Sequence, residues 1–363
     1  MTVPSSSRIT GPVRVVGAGL LGASVGLGLR ARGVDVLLDD ASPAHLSLAV
    51  DYGAGRPDDG SVEPQLIVVA VPPDLVARVV LAELAAHPDA VVTDVASVKM
   101  APLAELQAAG ADLTRYIGSH PLAGRERGGP ISARADLFIG RPWVVCGRPG
   151  TDRASISLLE SLILDLGASP VEMATDDHDA AVALVSHTPQ IVASLMARRL
   201  SGSTDAALGL AGQGLRDVTR IAASEPELWV QILGANAPAV VEILHAYRDD
   251  LDRVLAALGD VDASGARRAL AEELAGGNLG VSRLPGKHGQ DRRYSPIVVL
   301  VDDRPGELGR LFTELGEIGV NLEDLRLEHS PGAQVGLAEI AVLPEHLQRT
   351  IEELSARGWR IAG

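Results

Sequence analysis

The sequence predicts an α/β fold in three parts: a parallel-sheet domain, an all-α domain, and a small α+β module of βαββαβ order. Three observations carry this. Short, nearly all-apolar runs alternate with helix-compatible stretches up to residue 173, as parallel strands covered on both faces do. Strand signals then vanish and Ala/Leu-rich helical periodicity replaces them. Beyond residue 295 the alternation returns in shorter pieces.

In the first part the predicted strands are Val13–Val16, Val34–Leu38, Leu66–Val71, Ala90–Thr93, Trp143–Cys146 and Pro170–Met173, with a helix over Arg153–Leu166. They bound a domain over 1–173. Ala180–Leu200 and Glu227–Leu258 are the long helices of a second domain, 174–280, of the kind that closes a substrate cleft and dimerises. Gly276–Pro296 is rich in Gly and charge and reads as a linker, with the domain boundary set at 281–295. The tail, 296–363, reads strand Ile297–Val301, helix Pro305–Ile318, strands Asn321–Glu328 and Gln334–Leu343, helix Pro344–Arg357 and strand Trp359–Ala362.

A chain of 363 residues has room for these separate cores. Apolar residues make up 46% and aromatic ones only 2%, so Ala, Val and Leu must build them. A formal charge of −15 argues against a nucleic-acid partner, because no basic face dominates. The lone Cys146 excludes an internal disulfide and fits a reducing compartment. Its apolar run makes it a buried strand residue rather than a nucleophile. The N-terminal residues hold no apolar h-region and no stretch reads as a membrane span, so a cytoplasmic location without a membrane partner is expected.

Gly17, Gly19 and Gly22 form G-x-G-x-x-G between a strand and a helix, the context in which the motif binds a dinucleotide. Gly17 permits the tight turn, Gly19 lets the backbone approach a pyrophosphate, and Gly22 packs helix on strand. Leu20 and Leu21 open the helix whose positive end faces the phosphates. This makes the first domain Rossmann-type. Asp39 and Asp40 end the second strand, where a carboxylate holds the adenosine ribose; Asp40 is the candidate. A carboxylate there repels a 2′-phosphate by about 1–4 kcal/mol, which favours NAD over NADP.

Val71 and Pro72 end another strand and shape a loop over the cofactor. In Asp94–Lys99, Ser97 follows a strand at a carboxyl edge, where open α/β sheets bind ligands. It serves substrate, nicotinamide or His120, or it caps a helix; Lys99 is expected to be solvated. His120 lies in Gly118–Gly124, a Gly/Pro-rich turn that presents its imidazole at a cleft edge, where it can exchange a proton near neutral pH. In Ser186–Gln190 a proline interrupts a long apolar helix, which makes His187 either a cleft residue beside a kink or a core histidine. Arg216 and Arg220 are spaced i,i+4; one of them suits a substrate carboxylate, or they pair with Asp217 or Glu225 on a solvated face.

Together these segments resemble the prephenate dehydrogenase family. The pieces are GAGLLG, VAVPP, DVASVK, GSHPLAG, SHTPQ, GLRDVTRIAASEPELW and RLPGKHG, in family order across residues 13–288. The resemblance implies NAD-dependent oxidative decarboxylation of prephenate to 4-hydroxyphenylpyruvate in tyrosine biosynthesis, by a homodimer. The alternative is an arogenate dehydrogenase giving tyrosine directly. It further implies that His120 accepts the ring-hydroxyl proton, Ser97 orients it, Arg220 holds a carboxylate and Glu126 orders the site mouth. One histidine then suffices, with no metal. Two positions depart from the family: Gln190 stands where a second histidine is expected, and Arg125 stands where threonine is frequent. Arg125 would favour prephenate's pyruvyl chain over arogenate's ammonium. The tail segment VDDRPGELGRLFTELGEIGVNLEDL resembles an ACT domain. That implies a tyrosine effector held near Asp303, Pro305, Gly306 and Asn321, or a module that only aids dimerisation.

Overall fold

The structure, a computed structural model, describes residues 7–124, 128–284, 294–329 and 335–362. Two compact units form. One takes the chain up to Arg198 together with Thr219–Arg248; the other takes Arg199–Val218 and the chain from Asp249 onward.

In the first unit the chain runs β1 (Val13–Val16), α1 (Leu20–Arg30), β2 (Val36–Asp39), α2 (Pro43–Asp51), β3 (Arg56–Pro57), β4 (Leu66–Val69), α3 (Pro73–Ala86), β5 (Val91–Asp94), α4 (Met100–Ala108), β6 (Tyr116–Pro121), β7 (Pro142–Cys146), α5 (Arg153–Asp165) and β8 (Ser169–Glu172). These strands form one sheet, β3-β2-β1-β4-β5-β6-β7-β8. Its first six positions have the doubly wound order, and the sequence direction reverses between β1 and β4, where such sheets bind ligands. Val13 sits in register with both Val36 and Leu66. Helices cover both faces. One cluster joins Val15, Val68, Leu29 and Leu162; the other joins Ile67, Val69, Val80 and Leu106. Burying each such side chain contributes about 1.5–3 kcal/mol.

The sheet departs from expectation at β6 and β7, which pair antiparallel, with His120 opposite Val144. A parallel crossover needs a covering helix. Among the described residues between these strands the helical element is one 3-10 turn, Pro130–Ser132. The Gly118–Pro121 segment is therefore strand, not a turn: ladder pairing with β7 overrides its local Gly/Pro preference.

The chain continues helically as α6 (Thr175–Val182), a π-helical turn Ala183–His187, α7 (Thr188–Leu200), α8 (Asp205–Leu208), α9 (Gln213–Thr219), a 3-10 turn Arg220–Ala222, α10 (Pro226–Ala235), α11 (Ala237–Gly259) and α12 (Ala266–Ser282). Within the first unit α6 packs on α4 and β7, and α10 packs on α3. Three expectations change here. Glu227–Leu258 is not one helix: it bends by 95° between α10 and α11, where the buried Asn236 turns its amide inward. Gly276 and Gly277 lie inside α12 rather than in a linker. Thr175–Leu200 does reach the length and hydropathy (1.4) of a membrane-crossing helix, yet His178 and Asp179 are buried against the sheet domain.

In the second unit the tail forms β9 (Ser295–Asp302), α13 (Glu307–Ile318), β10 (Asp324–His329), β11 (Val335–Val342), α14 (Leu347–Ala356) and β12 (Arg360–Ala362). Its antiparallel sheet runs β10-β11-β9-β12. Ile297, Val299 and Val301 alternate inward and meet Leu311, Leu315 and Ile318, which share one face of α13.

Candidate active site

The glycine motif is built as its chemistry requires. Gly17 has φ +98°, and a Cβ there would lie 2.4 Å from the Ala70 carbonyl oxygen. A Cβ on Gly22 would lie 1.9 Å from the Gly17 carbonyl, so α1 can approach β1 only with glycine at this position. At Gly19 nothing stands within 4 Å of that position, and no side chain caps the α1 N-terminus. Open space beside uncapped amides fits a pyrophosphate. Leu20 and Leu21 are half-buried at the helix start. Arg14 takes the Asp39 carboxylate at 2.8 Å, while Asp40 accepts hydrogen bonds from the amides of Ala18 and Ser42, both at 2.7 Å. Asp40 is thus pinned to the motif itself, where a ribose would rest. Val71 and Pro72 follow β4 as a partly exposed turn.

His120 lies near the carboxyl end of β6, with Nδ1 2.9 Å from Nε2 of His178. His178 is fully buried in α6, and its Nδ1 donates to Asp179 Oδ1 at 2.7 Å. The Asp179 carboxylate also accepts the amides of Lys99 (2.8 Å) and Met100 (2.9 Å). It therefore caps α4 from another helix. Burial holds the His120 pKa well below its ordinary value, and charge on His178, Lys99 and His187 would push the same way. His120 is thus held neutral, as a proton acceptor must be. The expected lone histidine is a linked pair.

Lys99 is buried, not solvated. Its ammonium pairs with Asp94, whose carboxylate also accepts Tyr116 Oη (2.8 Å) and the Ala96 amide (2.9 Å). An ammonium is too costly to bury without such a partner. The same carboxylate and burial raise the Tyr116 pKa well above its ordinary value, burial being the larger cause. Beneath His120, Ser119 donates to the Asp94 carbonyl (2.7 Å) and accepts from Trp143 Nε1 (3.0 Å). Burial pushes the Cys146 thiol up to about 11, which removes it as a nucleophile at neutral pH.

The remaining candidates fall unevenly. Ser97 is half-buried, and α4 begins after Lys99 under the Asp179 cap, so Ser97 is not its N-cap. Among the described residues no hydrogen bond joins Ser97 to His120; His178 occupies Nδ1 instead. His187 closes the π-helical turn, buried, with its Nδ1 3.1 Å from Asn236 Nδ2 and its ring edge-on to Trp229. Burial lowers its pKa to about 4; Asp179 opposes the shift and His178 adds to it. Gln190 is buried three residues on, its amide 3.5 Å from Ser194 Oγ. Arg220 is exposed and opens the 3-10 turn, so it does not share an α-helical face with Arg216. Arg125 and Glu126 lie outside the described residues. In the tail, Asp303, Pro305 and Gly306 line a cavity of about 270 Å³ with Val301, Leu308 and Leu337; Asn321 instead donates to Glu323 at 2.9 Å. His178, Asp179 and Asn236 escape the sequence reading. The only signal was the His-Asp dipeptide in Thr175–Val182, which looks like acidic decoration of a helix start.

A dinucleotide cradle and a neutral imidazole at one carboxyl edge suit hydride transfer coupled to proton transfer. Fold and site together define a nicotinamide-dependent dehydrogenase. Residues 25–172 match the nucleotide-binding domain of prephenate dehydrogenase, and residues 174–273 match its dimerization domain. The probable prephenate dehydrogenase NovF of Streptomyces niveus is 36% identical over 353 residues, 95% of this chain and 98% of that protein. Prephenate dehydrogenase of Bacillus subtilis is 26% identical, across 87% of each chain. Among solved structures, prephenate dehydrogenase of Aquifex aeolicus, in complex with hydroxyphenyl propionate and NAD+, superposes with a TM-score of 0.65. It is 25% identical, over 76% of this chain and all of that one. Arogenate dehydrogenase of Synechocystis gives 0.58 at 29% identity, over 74% and 99%. The chain belongs to the prephenate dehydrogenase family, and it is an NAD-dependent oxidoreductase.

Proposed function

We propose that this enzyme converts prephenate and NAD to 4-hydroxyphenylpyruvate, carbon dioxide and NADH, with His120 as the proton acceptor. The observation that carries the residue assignment is the neutral His120 imidazole, fixed from behind through Nδ1 and left with Nε2 for substrate. NAD held at Gly17–Gly22 by the open α1 amides and by Asp40 supplies the hydride acceptor. His120 Nε2 takes the ring-hydroxyl proton as hydride leaves the carbinol carbon. The bond to the ring carboxylate then breaks, its electron pair enters the ring, and His120 returns the proton to the phenolate oxygen. Arg220 is the assigned carboxylate partner, Ser97 contacts the hydroxyl or the nicotinamide, and His187 and Gln190 line the substrate end. Arg125 and Glu126 complete the mouth on the sequence reading alone, and Arg125 argues for prephenate over arogenate.

Three further parts belong to this proposal. The enzyme works as a cytoplasmic homodimer; Leu274, Leu279, Val281 and Leu284 leave α12 and its end with a broad apolar exposure that a second copy would cover. The βαββαβ tail is an ACT-like module. Its cavity at Asp303, Pro305 and Gly306 takes the carboxylate of an aromatic amino acid, tyrosine by feedback logic. The test is NADH formation from prephenate and from arogenate, each with and without tyrosine. Faster turnover of prephenate and a drop on adding tyrosine are expected. No NADH from either substrate would sink the catalytic reading, and indifference to tyrosine would sink the regulatory one.

A further inference from the structure

His178 and Asp179 take no part in the catalytic roles assigned above, yet both are buried and held by several hydrogen bonds. Asp179 is an acceptor only. Two backbone amides at the start of α4 hold its carboxylate, Lys99 N at 2.8 Å and Met100 N at 2.9 Å. Asn236 Nδ2 holds its backbone oxygen at 2.8 Å from the break between α10 and α11. Two separate segments, the start of α4 and the α10/α11 break, thus converge on one residue and fix both its carboxylate and its backbone oxygen.

Hydrogen-bond inventory then determines the rest. A carboxylate cannot donate, so the 2.7 Å contact with His178 Nδ1 requires the proton to be on that nitrogen. A neutral His178 accordingly presents a bare Nε2. The 2.9 Å contact between His178 Nε2 and His120 Nδ1 then requires the proton to be on His120 Nδ1. One nitrogen of a neutral imidazole carries the proton and the other carries the lone pair. The base on His120 is therefore Nε2, the nitrogen turned away from His178.

We propose that the Asp179–His178 pair is a positioning device that locks His120 in its Nδ1-H tautomer and so makes Nε2 the proton acceptor of the reaction. The inference rests on the reading of His120 as that acceptor. It extends that reading by naming the residues that decide which nitrogen acts. The logic is that of any buried carboxylate that fixes a catalytic imidazole, except that a second imidazole stands between the two. Loss of the correct tautomer in such systems lowers kcat strongly while geometry stays intact.

Two substitutions separate positioning from packing. In His178→Gln the terminal amide reaches about as far as Nε2, and its oxygen can still accept from His120. In His178→Leu the volume is kept and the acceptor is lost. With prephenate and NAD, the leucine variant is expected to lose about 100-fold in kcat, at the lower end of what general bases supply, with KM for NAD unchanged. The glutamine variant is expected to stay within about fivefold of wild type, at a thermal midpoint no higher than that of the leucine variant. Equal losses in both variants, or no loss in the leucine variant, would overturn the proposal.

A second measurement does not depend on how the variants fold. Histidine-selective 15N NMR of the wild-type dimer, with His120 assigned by its absence in His120→Asn, reads the tautomer directly. A protonated Nδ1 and bare Nε2 on His120 are expected; the reverse pattern, with His178 doubly protonated, would overturn the lock. A wild type that makes no NADH from prephenate while its His120 shows protonated Nδ1 would remove the functional reading and leave the lock standing.

Discussion

Asn236 directs its amide nitrogen at His187 Nδ1 from 3.1 Å, across 49 residues of sequence. An amide NH2 can only donate, so it holds that imidazole neutral with Nδ1 unprotonated. Burial acts the same way and brings the His187 pKa down from 6.5 to about 4. The unfolded chain binds this proton near the ordinary value, whereas the folded protein resists it until about 4. The contribution of His187 to stability is therefore unchanged above about pH 6.5, declines as pH falls from there to about 4, and levels off below. Urea midpoints measured across that range should show the decline in wild type and a shallower slope in His187→Gln. Parallel slopes would remove His187 as the cause.

The motif glycines separate two requirements that are usually conflated. A Cβ on Gly22 would sit 1.9 Å from the Gly17 carbonyl oxygen, so Gly22→Ala must push α1 off β1. The expected cost is about 3 kcal/mol of stability, in the range of an overpacked core. Gly19 has an ordinary φ of −71° and free space around it, so Gly19→Ala should keep its thermal midpoint. What it fills is the approach of the pyrophosphate, and NAD affinity should fall at least tenfold, about 1.4 kcal/mol. Calorimetric titration with NAD beside a thermal melt checks both halves; a Gly19→Ala protein with wild-type NAD affinity would show that the phosphates lie elsewhere.

How much of this was legible beforehand depended on how far apart the interacting residues lie in sequence. The tight turn at Gly17, Gly19 and Gly22 could be read because its geometry demands glycine at fixed spacing within one βα turn. The βαββαβ order of the tail was equally local. His178 could not be read, since its partner His120 lies 58 residues away and nothing in a helix-start sequence announces a contact across the fold. Lys99 was misjudged for the opposite reason. Lysine is solvated by habit, but Asp94, only five residues earlier, shares its buried site. Gly118–Pro121 looked like a turn because its own composition says so, and only β7 makes it a strand.

The cap that Asp179 provides to α4 predicts a stability effect distinct from any effect on turnover. Asp179→Ala leaves the amides of Lys99 and Met100 and the His178 N–H without an acceptor, all in buried or part-buried places. Hydrogen bonds to charged groups contribute about 1.5–3 kcal/mol each. Because water can reach the exposed Met100 end, a total loss of about 3 kcal/mol is expected. Chemical denaturation should report it as a lower midpoint with an unchanged slope. A loss under about 1 kcal/mol would mean that α4 finds another cap.

The electrostatics of His120 set the acid limit of activity. Only the neutral imidazole can take the hydroxyl proton, and burial, reinforced by His178, Lys99 and His187, holds its pKa well below 6.5 in the free enzyme. The pH profile of kcat/KM reports the free enzyme, so it should stay level from neutral pH down past 6.5 and fall only in more acid solution. Prephenate brings two carboxylates close to the imidazole, and negative charge stabilises its protonated form. The acid limb of kcat, which reports the complex, should therefore lie at higher pH than that of kcat/KM. Initial rates of NADH formation at saturating and at limiting prephenate separate the two. A kcat/KM limb at or above pH 6.5 would mean that solvent reaches His120 in the working enzyme, because burial is the largest cause of the depressed value.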